Sequence, residues 1–421
     1  MHYVWDYMDE IHKEEFKKIE AIDYYRDKKA KAISVANAIV LPYRKNKGEP
    51  TAGGGVADSE GKYIPESAQH IVGTEMDHGY QIEACEKKDI CVMWFGAWHK
   101  HWGHFLTEMV SRCWYLIDHK PEKEDFYVAY SIKNDTTHEA MGGTFKEFLN
   151  LMGVSDERII LVEKPTEFKE VVIPELSCEP GRWYTEEYKK IFQYLVDKSE
   201  KDSQYEKVYL TRLKSRGLAK TQMGEQDIMK VFKENGYKIV APERLSLTEQ
   251  IKVYASCKKL VVVEGTLMHN VLFCQEHIDF AIINRVVGVN AYQPLIHQAK
   301  EPNVTYIDAH LSFFPVFAGG PFLFYFSDEF CKYCESERLS YKKKRAGMLK
   351  LHLKVWWYFW TYLENMTSDV IDRWKLAEKY QTGVVEQYAY YRRKLKGYND
   401  RTPQKIRTAM FILLKNFMGL S

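Results

Sequence analysis

The chain has 421 residues, of which 45% are hydrophobic and 14% aromatic, and its formal charge is +2. This length is sufficient for two domains with separate hydrophobic cores, and the composition excludes an intrinsically disordered chain. The eight cysteines are sparse and often lie within apolar runs. They therefore argue against a disulfide framework and favour a reducing compartment, the cytoplasm.

Neither a secretory signal nor a transmembrane helix is predicted. The first residues, "MHYVWDYMDEIHKEEFKK", are polar and acidic and lack the apolar region of a signal peptide. The most apolar run, 312–326, has only 15 residues and is interrupted by glycine and proline. It is therefore too short and too broken to span a bilayer as a helix.

The first half of the chain alternates between strand-like and helix-like segments. The strand-like runs are "AIVLPY", "ICVMWFG", "DFYVAYS", "RIILVE" and "EVVIP". Helices are predicted over 104–119, 144–152 and 185–198. The polar run 197–207 is the best candidate for a linker, so residues 1–200 are predicted to form an N-terminal Rossmann-like domain.

The second half has a clearer βαβ rhythm, with strands at "KVYLTR", "YKIV", "KLVVVEG", "FAIIN" and "VTYID". Ser246 and Glu249 are spaced as a capping box before a helix. The continuous apolar run "KLVVVEG" is typical of a parallel strand that is buried on both faces. Residues 201–330 are therefore predicted to form a doubly wound parallel α/β domain.

The C-terminal segment differs from the rest of the chain in charge. Residues 341–421 contain 17 Lys and Arg against 6 Asp and Glu, a net charge of +11, so the preceding residues carry a net charge of −9. We predict a helical extension over 331–421. Its basic and aromatic residues suit an anionic membrane surface, or alternatively a solvated helix whose aromatic side chains pack on the core. Nucleic acid is disfavoured, because the acidic body would repel phosphate.

The predicted strand ends of the second half carry groups suited to a nucleotide diphosphate. Ligands of open α/β sheets lie beyond the carboxyl ends of the strands. There, arginines and a helix start can bind an anion. No GxGxxG or GxxxxGK[ST] motif supports a dinucleotide or P-loop site. Alternatively, Gly265 only forms a turn between a strand and a helix, and Arg212 and Arg216 lie on the surface. The predicted donor-binding residues are Arg212, Arg216, Glu243, Glu264, Gly265, Thr266, His269 and Asn270.

A histidine-rich segment in the first half, "WHKHWGHFLTE", raises the question of a metal, a structural cluster or a catalytic acid and base. His104 and Glu108 have i,i+4 spacing, which places them on one helix face. A zinc site built on the three histidines is disfavoured, because a fitting fourth ligand is missing. The structural alternative is that the histidines pack and Glu108 pairs with Arg112.

Several motifs together resemble glycosyltransferase family 61: "WHKHWGHFLTE", "VYLTRLKSR" and "GYKIVAPERLSLTEQIKVYASCKKLVVVEGTLMHNVLF". The resemblance covers about residues 30–310. Many eukaryotic members have a loop similar to "HGAGLTN", whereas this chain has "EGTLMHN", which is similar to bacterial members. The resemblance implies a GT-B fold, a nucleotide-sugar donor, inversion at the anomeric carbon and a role in bacterial surface polysaccharide assembly.

Given this resemblance, we predict that Glu108 or His104 is the base that deprotonates an acceptor hydroxyl of a glycan or lipid-linked acceptor. Trp98, His101 and Trp102 are predicted to bind the acceptor, because flat aromatic faces suit sugar rings. No metal or other cofactor is expected, since the chain has no Asp-x-Asp motif. Two alternatives are a non-catalytic carbohydrate-binding or scaffolding protein, and a pyruvyl or phosphoglycosyl transferase. The sequence leaves the sugar, the linkage and the oligomeric state open.

Overall fold

The structure, a computed structural model, describes residues 2–45, 49–119, 127–133, 139–213, 222–285, 290–310 and 322–342. The strands in chain order are β1 (His2–Tyr7), β2 (Ala32–Ala36), β3 (Ile39–Arg44), β4 (Ala52–Ala57), β5 (Gln69–Ile71), β6 (Thr74–His78), β7 (Glu86–Trp98), β8 (Tyr127–Ile132), β9 (Ile159–Leu161), β10 (Thr166–Pro174), β11 (Cys178–Glu179), β12 (Trp183–Tyr184), β13 (Lys207–Leu210), β14 (Gln222–Met223), β15 (Lys238–Val240), β16 (Lys259–Val263), β17 (Asp279–Asn284), β18 (Asn303–Asp308) and β19 (Phe322–Leu323). The α-helices are Glu10–Glu20, Trp102–Thr107, Trp114–His119, Thr144–Leu151, Glu186–Asp197, Glu225–Glu234, Leu247–Ser256, Gln293–Lys300 and Asp328–Ser336.

The second half of the chain supplies most of a six-stranded sheet with the order β1-β18-β17-β16-β13-β15. Every neighbouring pair in this sheet is parallel. β16 is buried along nearly its whole length, as its continuous apolar sequence predicts. The predicted α/β architecture with a parallel sheet is therefore confirmed for this half.

The N-terminal strand lies in this second sheet and not with the rest of the first half. β1 pairs in parallel with β18, and the Trp5 ring stacks on Tyr306 with centroids 5.5 Å apart. The structure therefore differs, for its first strand, from a single domain over 1–200. At the other end, the helix Asp328–Ser336 packs on the core of the same sheet through Phe330 and Tyr333, across the predicted boundary at residue 330. The division of the chain otherwise stays a prediction.

The first half forms a nine-stranded mixed sheet. β10, β7, β8 and β9 are parallel neighbours, while β2, β3 and β4 join through antiparallel pairs. Short connections between the early strands favour antiparallel pairing, since parallel strands need a longer crossover. The Rossmann-like prediction thus fits only the parallel part of this sheet.

A continuous hydrophobic core joins the two sheets. Within this core, the centre of the Phe273 ring lies 5.3 Å from that of Phe192, 6.2 Å from that of Tyr254 and 6.5 Å from that of Phe148. These partners come from helices of both halves, and all four rings are buried. Full burial of one such side chain stabilises the fold by about 1.5–3 kcal/mol. The GT-B arrangement of the two halves stays a prediction.

The helix Leu247–Ser256 is capped from two directions. Ser246 and Glu249 form the predicted capping box. Glu147 of the first half also accepts hydrogen bonds from the backbone N–H groups of Leu247 and Thr248, at 2.7 and 3.1 Å. A carboxylate at a helix N-terminus is favourable, because it satisfies free N–H groups and complements the helix dipole.

The predicted long helix over 104–119 is instead broken into three short ones. The α-helix Trp102–Thr107 is followed by the 3₁₀ helix Met109–Arg112 and then by Trp114–His119. None of the helices in the described parts of the chain combines the length and the hydrophobicity that a membrane span requires. The predicted basic extension lies outside the described residues from position 343 onward.

Candidate active site

The carboxyl ends of neighbouring strands in the six-stranded sheet bring the predicted donor residues together. β13 pairs with β16, and β16 pairs with β17. Arg212 follows the first of these strands, Gly265 the second and Arg285 the third. Arg212 also lies close enough to influence the pKa values of both Arg285 and His101. Groups from both halves of the chain therefore meet at this edge.

His104 and Glu108 form a hydrogen-bonded pair at the end of β7. His104 Nδ1 lies 2.7 Å from Glu108 Oε1, and the second carboxylate oxygen accepts a hydrogen bond from the Val72 N–H at 2.8 Å. The Glu108 side chain is fully buried, whereas 21% of the His104 side chain is exposed. The predicted i,i+4 contact is present, but only the imidazole of the pair reaches solvent.

Tyr292 also lies beside this pair. Its ring meets that of His104 edge to face, with centroids 5.8 Å apart. Burial and the nearby Glu108 carboxylate raise the pKa of the Tyr292 hydroxyl. A neutral hydroxyl therefore faces the buried carboxylate from the second half of the chain.

Arg112 does not pair with Glu108 in the way that the structural alternative requires. Its guanidinium is fully buried and donates instead to the carbonyl oxygens of Pro174, Glu66 and Ala68, at 2.9, 3.2 and 2.8 Å. Burial lowers the pKa of Arg112 to about 10. Arg112 thus organises the surrounding backbone, and Glu108 is left to hold His104.

His101 caps the helix that carries His104. Its Nδ1 accepts a weak hydrogen bond from the His104 N–H at 3.4 Å, and the two rings lie 4.7 Å apart. Desolvation, together with the nearby His104, His99 and Arg212, lowers the pKa of His101 to about 4. His101 is therefore a neutral imidazole at physiological pH.

Arg285 is the donor-side residue that the sequence argument missed. Its guanidinium lies 4.1 Å from the centre of the Phe322 ring, and its Nε atom is buried without a hydrogen-bond partner among the described residues. Gly265 has φ +123°, and a Cβ atom there would lie 2.7 Å from Arg285 Nη2. Only glycine permits this close approach of the loop to the guanidinium.

Glu225 is a buried carboxyl group next to the two arginines. Its Oε1 accepts a hydrogen bond from the Thr211 hydroxyl at 2.8 Å, while its Oε2 has no partner in the described parts of the chain. Burial raises the pKa of Glu225 to about 7, although Thr211, Tyr209 and Arg285 oppose the shift. Near neutral pH the group is therefore divided between its neutral and ionised forms.

Contacts between the two halves fix the site geometry. Trp102 Nε1 donates a hydrogen bond to Asn270 Oδ1 at 2.8 Å. A Cβ atom on Gly103 would lie 3.1 Å from the His269 ring and 3.3 Å from the Thr266 side chain. The helix that bears His104 therefore packs directly on the segment after Gly265, which is the 3₁₀ helix Thr266–Phe273.

The predicted sugar-stacking tryptophans have other partners. Trp98 is 1% exposed and packs edge to face on Tyr130 and Phe145. It is a core residue, so its ring has no free face for a sugar. Trp102 is half-buried, and its ring stacks on Phe105 and Phe273. The physical reason is the same for both: aromatic rings next to a large core gain more from burial than from exposure.

The remaining predicted donor residues differ in their burial and in their contacts. Glu243 is exposed, and its charge opposes the lowering of the Arg212 pKa by burial. Glu264 Oε2 accepts a hydrogen bond from the backbone N–H of Arg285 at 3.2 Å. His269 and Asn270 are buried at the contact between the halves. Arg216 lies outside the described residues.

Of the three residues that the sequence analysis missed, only Arg285 carries a local signal in the sequence. Arg285 directly follows the strand "FAIIN", so the strand-end rule that selected Arg212 also selects it. Glu225 and Tyr292 carry no such local signal, since burial and long-range contacts define them.

Among the residues that the structure describes, no group of three or more His, Cys, Asp or Glu side chains is placed to hold a metal ion.

Part of the chain matches a known protein family. Residues 102–281 match the sequence model of the family Glycosyltransferase 61, over less than half of the chain. The matched region contains His104, Glu108, Arg212, Gly265 and His269. No curated protein matches the chain. The match supports the predicted relationship to this family, and with it a glycosyltransferase, for which a nucleotide-sugar donor and a glycan acceptor are implied.

Proposed function

We propose that this protein is an inverting glycosyltransferase that moves a sugar from a nucleotide-diphosphate donor to a glycan or lipid-linked acceptor. The observation that carries the proposal is the meeting of two sets of groups. The His104–Glu108 pair suits proton removal, and the arginines at the strand ends suit a diphosphate. In an inverting reaction, the deprotonated acceptor oxygen attacks the anomeric carbon while the bond to the diphosphate breaks on the opposite side.

In this proposal, His104 Nε2 accepts the proton from the acceptor hydroxyl. Glu108 is fully buried and its two oxygens already accept hydrogen bonds, so it is poorly placed to reach a substrate. It can hold the imidazole with Nδ1 protonated and stabilise the imidazolium that forms, as a carboxylate beside a catalytic histidine does. This arrangement favours His104 over Glu108 as the base.

The leaving diphosphate is proposed to lie between Arg212 and Arg285, beside Gly265. Arginine binds phosphate oxygens through paired N–H donors and stays charged in a buried setting. Two guanidinium groups supply positive charge where negative charge develops on the leaving group. We therefore propose that transfer does not depend on a divalent metal, and EDTA should leave the rate unchanged.

The cellular role is also proposed on the resemblance of the "EGTLMHN" loop to bacterial members. We place the protein in surface or capsular polysaccharide assembly at the cytoplasmic face of the membrane, with a GT-B arrangement of its two halves. The net charge of +11 over 341–421 suits attachment to anionic lipid, to which each basic residue near the surface contributes about 1 kcal/mol. Oligomeric state is left open.

Two measurements on the full chain test the enzymatic proposal. Thermal shifts with UDP, GDP, CDP and dTDP should reveal one preferred nucleotide, since a ligand at 100 times its Kd stabilises the fold by about 2.7 kcal/mol. The nucleotide-sugars of the preferred base are then assayed for release of the diphosphate with candidate acceptors. If no nucleotide diphosphate stabilises the protein, the donor proposal is wrong.

Membrane attachment has a separate test. The full chain and a truncation after Ser340 are sedimented with vesicles that contain either neutral lipid alone or neutral lipid with a third of anionic lipid. We expect the full chain to bind only anionic vesicles and to dissociate as salt is raised, because charges beyond a Debye length of about 8 Å are screened at physiological ionic strength. Equal binding by the truncated protein would remove the extension from this role.

A further inference from the structure

A buried row of hydrogen bonds leads from the N-terminal helix to the candidate active site. His269 Nδ1 lies 2.8 Å from Gln293 Oε1, and Gln293 Nε2 lies 2.9 Å from His297 Nε2. His297 Nδ1 in turn lies 3.0 Å from Glu20 Oε1. All four side chains are buried. We call these four residues the Glu20 row.

Glu20 is surrounded by donors. The Tyr306 hydroxyl donates to its Oε1 at 2.8 Å, and the Tyr3 hydroxyl donates to its Oε2. Both oxygens of this carboxyl group therefore act as hydrogen-bond acceptors. His297 must therefore carry a proton on Nδ1, the nitrogen that faces Glu20.

The direction of this first bond determines the others. With its proton on Nδ1, His297 presents Nε2 as an acceptor to the Gln293 amide nitrogen, which can only donate. The amide oxygen then faces His269, so His269 must donate from Nδ1. The Nε2 atom of a neutral His269 is consequently a hydrogen-bond acceptor.

The bare nitrogen of His269 lies on the side of the ring away from Gln293. The neighbouring ring atom, Cδ2, is the atom that a Cβ on Gly103 would meet at 3.1 Å, next to His101 and Thr266. No hydrogen bond to Nε2 occurs among the described residues. Desolvation lowers the pKa of His269 to about 4, which agrees with a neutral ring.

We propose that Glu20, His297 and Gln293 are positioning residues that hold His269 as the Nδ1–H tautomer, so that its Nε2 accepts a hydrogen bond from a sugar hydroxyl in the site. The class of ligand rests on the proposed function, whereas the tautomer does not. The row also gives a reason for the unusual place of the N-terminal segment. β1 joins the second sheet, and the helix Glu10–Glu20 packs on it through Phe16, whose ring lies 4.7 Å from that of Tyr306. The last residue of this helix, Glu20, is the end of the row.

Nuclear magnetic resonance of the full chain with ¹⁵N-labelled histidine tests the tautomer directly. Long-range ¹H–¹⁵N spectra show which ring nitrogen carries the proton, and His269→Gln identifies the signal. We expect Nδ1–H for His269 in the unaltered protein. In His297→Phe, which keeps a ring but removes both nitrogens, the Nε2–H form should become substantially populated, because the direction of the row is lost.

Tyr306→Phe is the matched control, since it removes another donor to the same oxygen of Glu20 but leaves the row intact. It should leave the His269 tautomer unchanged. An Nε2–H tautomer in the unaltered protein would overturn the proposal even if the His297 variant fails to fold. An unchanged tautomer in a folded His297→Phe protein would also overturn it.

A binding measurement tests the sugar contact separately. With the donor identified, His297→Phe should weaken one sugar substrate by about tenfold, as loss of one hydrogen bond worth about 1.4 kcal/mol does. The Kd of the free nucleotide diphosphate should stay unchanged. A higher KM for the donor alone assigns the hydroxyl to the transferred sugar, and a higher KM for the acceptor alone assigns it to the acceptor. Unchanged KM values for both would reject the contact while leaving the tautomer result and the proposed transfer reaction intact.

Discussion

Two parts of the candidate site, the His104–Glu108 pair and the buried groups around Arg285, differ in how far their hydrogen bonds are satisfied. On the first side, Glu108 is buried with both oxygens hydrogen-bonded, and it holds His104 at 2.7 Å. On the second side, Arg285 Nε and Glu225 Oε2 are buried without partners among the described residues. A buried polar atom without a partner costs about 1–3 kcal/mol, so such atoms need an explanation.

The difference separates a pair whose hydrogen bonds are supplied by the chain itself from buried groups with unused hydrogen-bonding capacity. The His104–Glu108 side is preorganised by the chain itself, as a group that moves a proton must be. The arginine side holds excess donor capacity that a diphosphate can use. The four predictions below would each break or sharpen this contrast.

The largest effect is expected for the preorganised pair. Glu108→Gln keeps the shape but removes the charge that stabilises the His104 imidazolium, so turnover should fall by about 10²–10⁴ with little change in donor affinity. His104→Ala should act on the same step and combine with it non-additively, because members of a catalytic unit do not sum. Steady-state kinetics over a range of donor concentrations make the measurement.

Glu147→Gln serves as the control for this experiment, since it makes the same chemical change at a helix cap away from the pair. It should leave turnover unchanged at temperatures well below unfolding. A Glu108→Gln protein that keeps more than about a tenth of the original turnover would be too active for a residue of this role. The helix would then be a scaffold.

The next effect concerns the incomplete side and depends on pH. The pKa of Glu225 is raised to about 7 in the folded protein, above the ordinary value of 4.5. Between these values the folded state binds the extra proton, so the contribution of Glu225 to stability falls as pH rises. Glu225→Gln removes this loss. Its free energy of unfolding, relative to that of the unaltered protein, should therefore be higher at pH 8 than at pH 5 by up to about 3 kcal/mol.

Urea unfolding of both proteins at pH 5 and pH 8 measures this difference, and other titrating groups cancel in the comparison. A Glu187→Gln variant provides a control, because Glu187 is also buried but lies on another helix. If Glu225→Gln differs in stability from the unaltered protein by the same amount at both pH values, the fold does not raise the pKa of this carboxyl group.

A third prediction tests whether the arginine side is reserved for a diphosphate. Arg285→Ala should weaken binding of the free nucleotide diphosphate by about 2 kcal/mol, as loss of a charge-assisted contact does, and Arg212→Ala should act similarly. Calorimetry with the preferred nucleotide gives the Kd values. Arg244→Ala changes an exposed arginine that follows the neighbouring strand β15, and this variant should bind normally. If Arg285→Ala binds the nucleotide normally, the Arg285 guanidinium serves only to stabilise the fold.

The smallest effect is expected where the two sides join. Trp102→Phe and Asn270→Ala each remove the 2.8 Å hydrogen bond between the halves. In a double-mutant cycle, their coupling energy should be about 1 kcal/mol, the usual net value of one hydrogen bond. Unfolding by urea measures each stability. A coupling energy near zero would mean that packing around Phe273, and not this bond, sets how the sides meet.

Parts of the fold and of the site were predictable because they depend on local patterns. The continuous apolar run of β16 predicts a buried parallel strand, and the Ser246–Glu249 spacing predicts a capping box; both are present. The i,i+4 spacing predicts the contact of His104 with Glu108. The strand-end rule selected Arg212 and could have selected Arg285.

The sequence by itself determined the parallel strands of the second half, the capping box and the groups that follow the strand ends, because these follow from periodicity and from contacts within a few residues. Only the tertiary structure decided that Trp98 is core, that β1 joins the second sheet, and that Glu147 caps a helix a hundred residues away. Burial and hydrogen bonding between distant segments depend on how whole surfaces pack. No local pattern encodes that information, and the pKa of Glu225 depends on the same packing.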